Sequence, residues 1–341
     1  MLIHLVLIDA HVIRERRHPP PAWYRGTTPD EHRGRMAGRP AVRNVGPVIE
    51  VQDLTRRYGG VSAVRNVSFR LEPGVLHGIV GPADAGKSTT LRLMVGLDRA
   101  TSGRCLFDGR SYRDLAYPLR EVGILLAPPP AHPGRTGRDH LRILARTHGI
   151  PDRRTDEVLE MTGLADVARL RAGVYSPGLR QRLGLAGALL GDPPALLLDD
   201  PAAGLDPDGV AWLRALLRTL AREGRAVLVT GRLTGELARD IDRLIILGRG
   251  RVLADAPAAE VISRNTVPAV WVRPDRPDDL EKLLRGHGAA VALRPDGRLE
   301  ITGLTSADIA GLAARAGILL IENTPVHACL DDVYLALARG R

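Results

Sequence analysis

Residues 81–89 read GPADAGKST and match the spacing G-x-x-x-x-G-K-[ST]. The run LHGIVGP, in which they begin, has the character of a buried strand, and the pattern of residues 88–95 predicts a helix. A glycine-rich turn between a strand and a helix is the context in which this spacing cradles phosphate. Gly81 and Gly86 let backbone N–H groups turn inward, Lys87 reaches the outer phosphates of a nucleotide, and the Ser88 hydroxyl is a ligand for Mg2+. Pro82, Ala83, Asp84 and Ala85 complete the loop, and Thr89 opens the helix beside Ser88. Lysine is scarce: of 48 Lys and Arg residues only Lys87 and Lys282 are lysine, so a lysine at the one position the loop requires is informative. Asp84 runs against the pattern, since a carboxylate aimed into an anion-binding loop weakens phosphate binding by repulsion.

The 341 residues, 44% apolar and 26% charged, suffice for two globular domains with at least one sizeable core. The net charge of +9 is spread along the chain as arginine rather than gathered in a basic patch, so nucleic acid is not an expected partner. Two cysteines, Cys105 and Cys329, do not make a disulfide framework, and no Cys/His spacing points to a metal. The opening MLIHLVLI is too short for a membrane span and its arginines follow it, which fits neither a membrane helix nor a secretory signal; a cytosolic protein is expected.

Residues 1–46 hold eight arginines against four acids and the run PPP, and read as a disordered extension with Met36 as an alternative start. From Val48 the pattern turns regular. VIEVQDL and VSFRLEP read as strands, as do ALLLD and RAVLVT, while RLIILGRGRVLAD reads as a hairpin about Gly248 and Gly250. Strands alternating with helices predict an α/β sheet with crossovers over 47–264. Beyond it, VPAVWVR, DDLEKLLRGHG, AAVALRP, GRLEITG, SADIAGLAARAG and ILLIENTP predict a βαββαβ unit over 265–341, closed by a helix in CLDDVYLALA.

Two further motifs narrow the class. ALLLDD ends an apolar strand with Asp199, placed to hold Mg2+ through water, and Asp200. Twenty-three residues before Asp199, Ser176 opens YSPGLRQRLGLAGALLGDP. Ser176 can N-cap a helix with Pro177 in its first turn, leaving the positive end of the helix facing outward toward a phosphate. In this order and spacing, residues 48–264 resemble the ATPase subunits of ABC transporters. The C-terminal segment, through ENTPVHACLDDVYLALA, is similar to the accessory domain of drug-exporter-type members. The resemblance implies an α/β P-loop NTPase domain of ABC type, with a mixed sheet and a helical subdomain, and a small α+β domain after it. It also implies ATP and Mg2+ as ligands and a head-to-tail dimer, homo- or heteromeric, in which each ATP lies between one chain's phosphate loop and the other chain's Ser176–Gly178 turn. A membrane-spanning permease would hold the chain at the inner face of the cell membrane, docking near residues 127–132 and 139–170. Carried over by position, Tyr58 in RRYGG stacks on adenine and Asp206 in AGLDP signals across the dimer. Without the family, they are a strand-end aromatic and a surface turn.

Several positions depart from the family. Asp200 stands where a glutamate orients the attacking water and is shorter by one methylene. Ala127 replaces a glutamine that touches Mg2+, Arg232 replaces the histidine that senses the γ-phosphate, and Pro177 and Leu179 replace a glycine and the glutamine of the signature. With Lys87, Ser88 and Asp199 retained, ATP binding with impaired hydrolysis is expected. The readings in play are an exporter's ATP-binding subunit, an ATP-sensing regulatory module without a transport cycle, and a soluble ABC protein of repair or translation. The last lacks support, because the chain has neither a second cassette nor a long inserted coiled coil.

Overall fold

The structure, a computed structural model, describes residues 46–127, 129, 131–231, 240–265, 269–326 and 330–339. The extension through residue 45, Cys329 and Arg232 lie outside the described residues. The chain divides into two compact units between Ala256 and Pro257. The helix that follows this point is grouped with the second unit, ahead of the 264/265 boundary suggested by the sequence pattern.

The first unit runs β1 (Ile49–Tyr58), β2 (Val61–Leu71), β3 (Leu76–Val80), α1 (Lys87–Met94), β4 (Ser102–Phe107), α2 (Pro118–Glu121) and β5 (Val122–Leu125). It continues through α3 (Gly137–Thr147), α4 (Asp152–Met161), α5 (Pro177–Leu189), β6 (Ala195–Leu198), α6 (Pro207–Arg222), β7 (Ala226–Gly231), β8 (Arg243–Gly248) and β9 (Arg251–Pro257). These strands form two sheets. One is antiparallel, in the order β2-β1-β4, and the other has six strands in the order β5-β6-β7-β3-β8-β9.

In the larger sheet β3 pairs in parallel with β7 and β8, and β6 pairs in parallel with β5 and β7. A strand flanked in parallel on both sides and covered on both faces has no solvent side, so its sequence is a continuous apolar run. All five residues of LHGIV in β3 and all four of ALLL in β6 are buried accordingly. The final hairpin closes on Arg249 and Gly250 at φ 49° and 77°, the left-handed pair that a two-residue turn between twisted strands requires.

Helix α1 is embedded in the core that both sheets share. Leu91, Leu93 and Met94 cluster with Ile49 and Val51 of β1, Ile79 of β3, Leu197 of β6, Leu228 of β7 and Ile245 of β8. The loop before α1 is thereby held between a buried strand and a buried helix. Helices α3, α4 and α5 pack on one another, and α5 also packs on β5, so this helix joins the helical part of the unit to the sheet.

The second unit holds α7 (Ala258–Asn265), β10 (Ala269–Pro274), α8 (Pro277–Gly286), β11 (Ala290–Leu293), β12 (Leu299–Thr302), α9 (Ser306–Arg315), β13 (Leu320–Val326) and α10 (Leu330–Arg339). Its antiparallel sheet, in the order β11-β12-β10-β13, gives the βαββαβ arrangement that the pattern predicts. Val270, Val272, Leu299 and Ile301 of the sheet share a core with Leu280 and Leu284 of α8 and Ile309, Leu312 and Ala313 of α9. Helices α7 and α10 pack together, and Val261, Leu330 and Val333 are buried.

Candidate nucleotide site

The loop of residues 81–86 leaves β3 and enters α1 with two glycines where side chains cannot fit. At Gly86, φ is 98° and a Cβ would lie 2.5 Å from the Ala63 carbonyl oxygen; at Gly81 a Cβ would lie 2.3 Å from that of Leu247. Both obstacles are backbone, so the tight path of the loop is built into its neighbours. Gly86 is the N-cap of α1 with no side-chain cap, and the first turn carries no acid. The amides of that turn are therefore presented without a competing side-chain acceptor, as an anion site needs.

Lys87 directs its ammonium back along the loop, donating to the carbonyls of Gly81 at 2.8 Å and Pro82 at 2.6 Å. Asp84 is exposed and occupies the left-handed region at φ 62°, Ala83 is exposed, Pro82 is half-buried, and Ala85 is buried against the unit. Thr89 is half-buried, while its neighbour Thr90 is fully buried and donates its hydroxyl hydrogen to Gly86.

The buried end of β6 meets this loop. Ser88 Oγ donates to Asp199 Oδ1 at 3.0 Å, and Asp199 is 3% exposed. Its backbone N–H donates to the Leu125 carbonyl at the end of β5. Thr230, at the end of β7, donates its hydroxyl to the same Asp199 oxygen at 2.5 Å and accepts the Asp200 N–H at 3.1 Å. One hydroxyl therefore joins both acidic residues. Asp200 itself is left-handed, at φ 44°. Among the described residues no cluster of three or more His, Cys, Asp or Glu side chains forms a metal cage. A hydroxyl beside a single carboxylate instead suits Mg2+, which keeps waters and takes phosphate oxygens as further ligands. Loop, helix end and donor pair thus fit a Mg-nucleotide.

Tyr58 ends β1, 45% exposed, with the Arg56 guanidinium 4.4 Å from its ring centroid and its hydroxyl donating to Asp98 at 3.0 Å. The strand after it passes the loop, as the closeness of Ala63 to Gly86 shows. Ser176 accepts the Leu179 N–H and caps α5, with Pro177 as the first helical residue. Gly178 packs toward Gly204, whose carbonyl oxygen would lie 3.0 Å from a Cβ there. Asp206 accepts the Gly209 N–H at 2.8 Å and caps α6. Ala127 is exposed just beyond β5.

Sequence reading passed over Thr230 and Gln181. Thr230 stands two residues before Arg232 at the end of a predicted strand, and its polarity in an otherwise apolar run was the available signal. Gln181, 2% exposed on α5, donates through Nε2 to the Asp200 carbonyl at 3.0 Å.

A glycine-rich loop after a central parallel strand, with its serine bonded to an acid two strands away, defines a P-loop nucleotide-binding domain. The comparisons specify which kind. The family profile described as ABC transporter matches residues 64–203, and a domain of unknown function, DUF8746, matches residues 268–331. The chain is 34% identical over 221 residues to the bacitracin transport ATP-binding protein BcrA of Bacillus licheniformis, covering 64% of this chain and 72% of that one. It is likewise 34% identical over 262 residues to the daunorubicin resistance ATP-binding protein DrrA3 of Streptomyces coeruleorubidus, covering 75% and 79%. Among solved structures, a dimeric, post-hydrolysis ATP-binding cassette bound to ADP and Pi aligns with a TM-score of 0.57 and 26% identity over 62% of this chain and 98% of that one. The chain belongs to the ATP-binding proteins of ABC transporters, whose ligands are ATP and Mg2+.

Proposed function

We propose that this chain is the ATP-binding subunit of an exporter-type ABC transporter and that it binds Mg-ATP well but hydrolyses it slowly. The observation that carries the slow-hydrolysis reading is the way Asp200 is held. Its N–H is bonded to Thr230 and its carbonyl to Gln181 and Ala203, so its backbone has little freedom to advance and make up for a short side chain. Where a glutamate would place a carboxylate on the attacking water, Asp200 stops roughly 1 Å short, a displacement that can lower a rate on the order of a hundredfold.

The rest of the site supports retained binding. Lys87 is the cation in reach of bound phosphate, Ser88 and Asp199 are the oxygen donors for Mg2+, and Tyr58 offers a ring for adenine. When bound, the metal neutralises phosphate charge. Ser176 and Gly178 at the start of α5, with Asp206 at the start of α6, serve the partner's nucleotide in a head-to-tail dimer, homomeric or with a second ATP-binding chain. Arg232, by its position in the sequence motif, is the residue proposed to sense the γ-phosphate.

Support for export comes from the bacitracin-transport and daunorubicin-resistance relatives. In this reading a membrane-spanning permease is the partner and holds the chain at the inner face of the cell membrane; among the described residues no helix is long and apolar enough to cross a membrane. The test is to measure Mg-ATP affinity and steady-state turnover on one preparation, with Lys87→Ala as control. Binding lost in Lys87→Ala together with very slow turnover in the parent is expected. Rapid turnover by the parent that Lys87→Ala abolishes would overturn the slow-hydrolysis reading.

A further inference from the structure

The hydrogen bond from Gln181 to Asp200 joins two functional elements that lie far apart in the sequence. Gln181 sits on α5, five residues after its Ser176 cap, and its side chain is enclosed on a helix whose other buried residues, Leu183, Leu185, Ala186, Ala188 and Leu189, are apolar. The turn at Asp200 is already closed by the Ala203 N–H at 3.0 Å, so Gln181 adds a second donor to the same carbonyl. The other end of that loop also rests on α5. Gly204, at φ 75°, would place a Cβ 2.9 Å from Cβ of Pro177, and a Cβ at Gly178 would lie 3.0 Å from the Gly204 carbonyl oxygen. The first turns of α5 and the loop from Asp200 to Gly204 therefore touch at both ends, one contact being a part-buried hydrogen bond.

We propose that Gln181 is a positioning residue for Asp200. It holds the residue in its left-handed conformation and ties the direction of its carboxylate to the helix that Ser176 begins. Aspartate tolerates this region better than most residues, yet the conformation costs more than an extended or helical one and depends on its surroundings to persist. Thr230 secures the N–H side and Gln181 the carbonyl side. Because the second anchor rides on α5, whatever Ser176 contacts at the head of that helix reaches Asp200 through one rigid segment. The inference rests on Asp200 being the water-orienting carboxylate.

The test uses the full chain with Gln181→Met, which keeps length and burial but has no N–H to donate. Amide hydrogen exchange is followed in the segments 199–206 and 182–189, beside Mg-ATP affinity and kcat, in both the parent and the Asp200→Glu background. The expected result is faster exchange in 199–206 with 182–189 unchanged, unaltered affinity, and a kcat lowered about tenfold, the scale of one lost hydrogen bond. Gln181→Lys, which restores an N–H donor, should recover both the exchange pattern and kcat. Unchanged exchange in 199–206, or unchanged kcat despite faster exchange, would overturn the proposal. So would exchange rising equally along α5 with loss of affinity, which marks Gln181 as a packing residue only. If Gln181→Met does not fold, Gln181→Lys against Gln181→Glu makes the same comparison between polar side chains with and without a donor. Failure of Asp200→Glu to raise turnover would count against slow hydrolysis by a short carboxylate, while the exchange result still decides the role of Gln181.

Discussion

Lengthening the acid at residue 200 by one methylene should trade stability for activity. In Asp200→Glu the backbone anchors at Thr230, Gln181 and Ala203 involve only N–H and C=O and remain in place, so the added methylene goes wholly into reach. An advance of roughly 1 Å at a reacting centre is worth on the order of a hundredfold in kcat, or about 2.7 kcal/mol of barrier. The same change has a cost at φ 44°, because aspartate tolerates the left-handed region through its short polar side chain and glutamate does not. That cost is about 1 kcal/mol, seen as a fall of about 2–4 °C in Tm for a domain of this size. The assay is steady-state phosphate release with saturating Mg-ATP, alongside a nucleotide titration and a thermal melt. Affinity should not move, since the phosphate loop, Lys87 and Ser88 are untouched. Turnover that stays the same or falls while binding holds would refute the reasoning, because it would show that the length of this carboxylate does not limit the reaction.

The other expectations concern the loop and the pH response. Gly86→Ala should abolish measurable Mg-ATP binding and cost about 2 kcal/mol of stability, because φ 98° lies beyond the left-handed well and the Ala63 carbonyl blocks the new methyl; retained affinity in a titration would contradict this. Asp84→Gly should tighten Mg-ATP binding about fivefold at low salt, the scale of one removed charge repulsion near the surface, and the gain should shrink as salt is raised. Equal affinities at low salt would rule the repulsion out. His140 is buried, and desolvation, aided by Arg135, lowers its pKa to about 4. The unfolded chain takes up this proton first as pH falls through 6.5, so the first unit should keep its full stability above that pH and lose about 3 kcal/mol by pH 4. Urea midpoints across that range should flatten in His140→Leu.

Much of the site was legible because its chemistry is local. A loop that wraps phosphate with its own backbone must have its glycines, lysine and serine at set intervals, and the strand before it must be apolar because it is buried on both faces. The βαββαβ unit was legible for the same reason: each of its elements carries its own periodicity, and short connections leave little choice of neighbour. Ser176 was readable as a helix cap because a cap and the amide it satisfies lie three residues apart, whereas Asp206, read as a loop acid or a surface turn, caps its helix in the structure.

Contacts between distant segments were not legible. Nothing near residue 52 announces that β1 joins a separate antiparallel sheet with β4, because the pairing of Ile49 with Phe107 depends on a core assembled around α1. Tyr58 read as an aromatic awaiting a ligand; its bonds to Asp98 and its stacking with Arg56 emerged only when the strand and the segment after α1 came together. Local periodicity and loop spacing thus specify that this chain holds a nucleotide and roughly where. How the acids beside it are aimed depends on Thr230 from β7 and Gln181 from α5, side chains brought to residues 199 and 200 by packing, and packing between remote segments leaves no interval in the sequence to read.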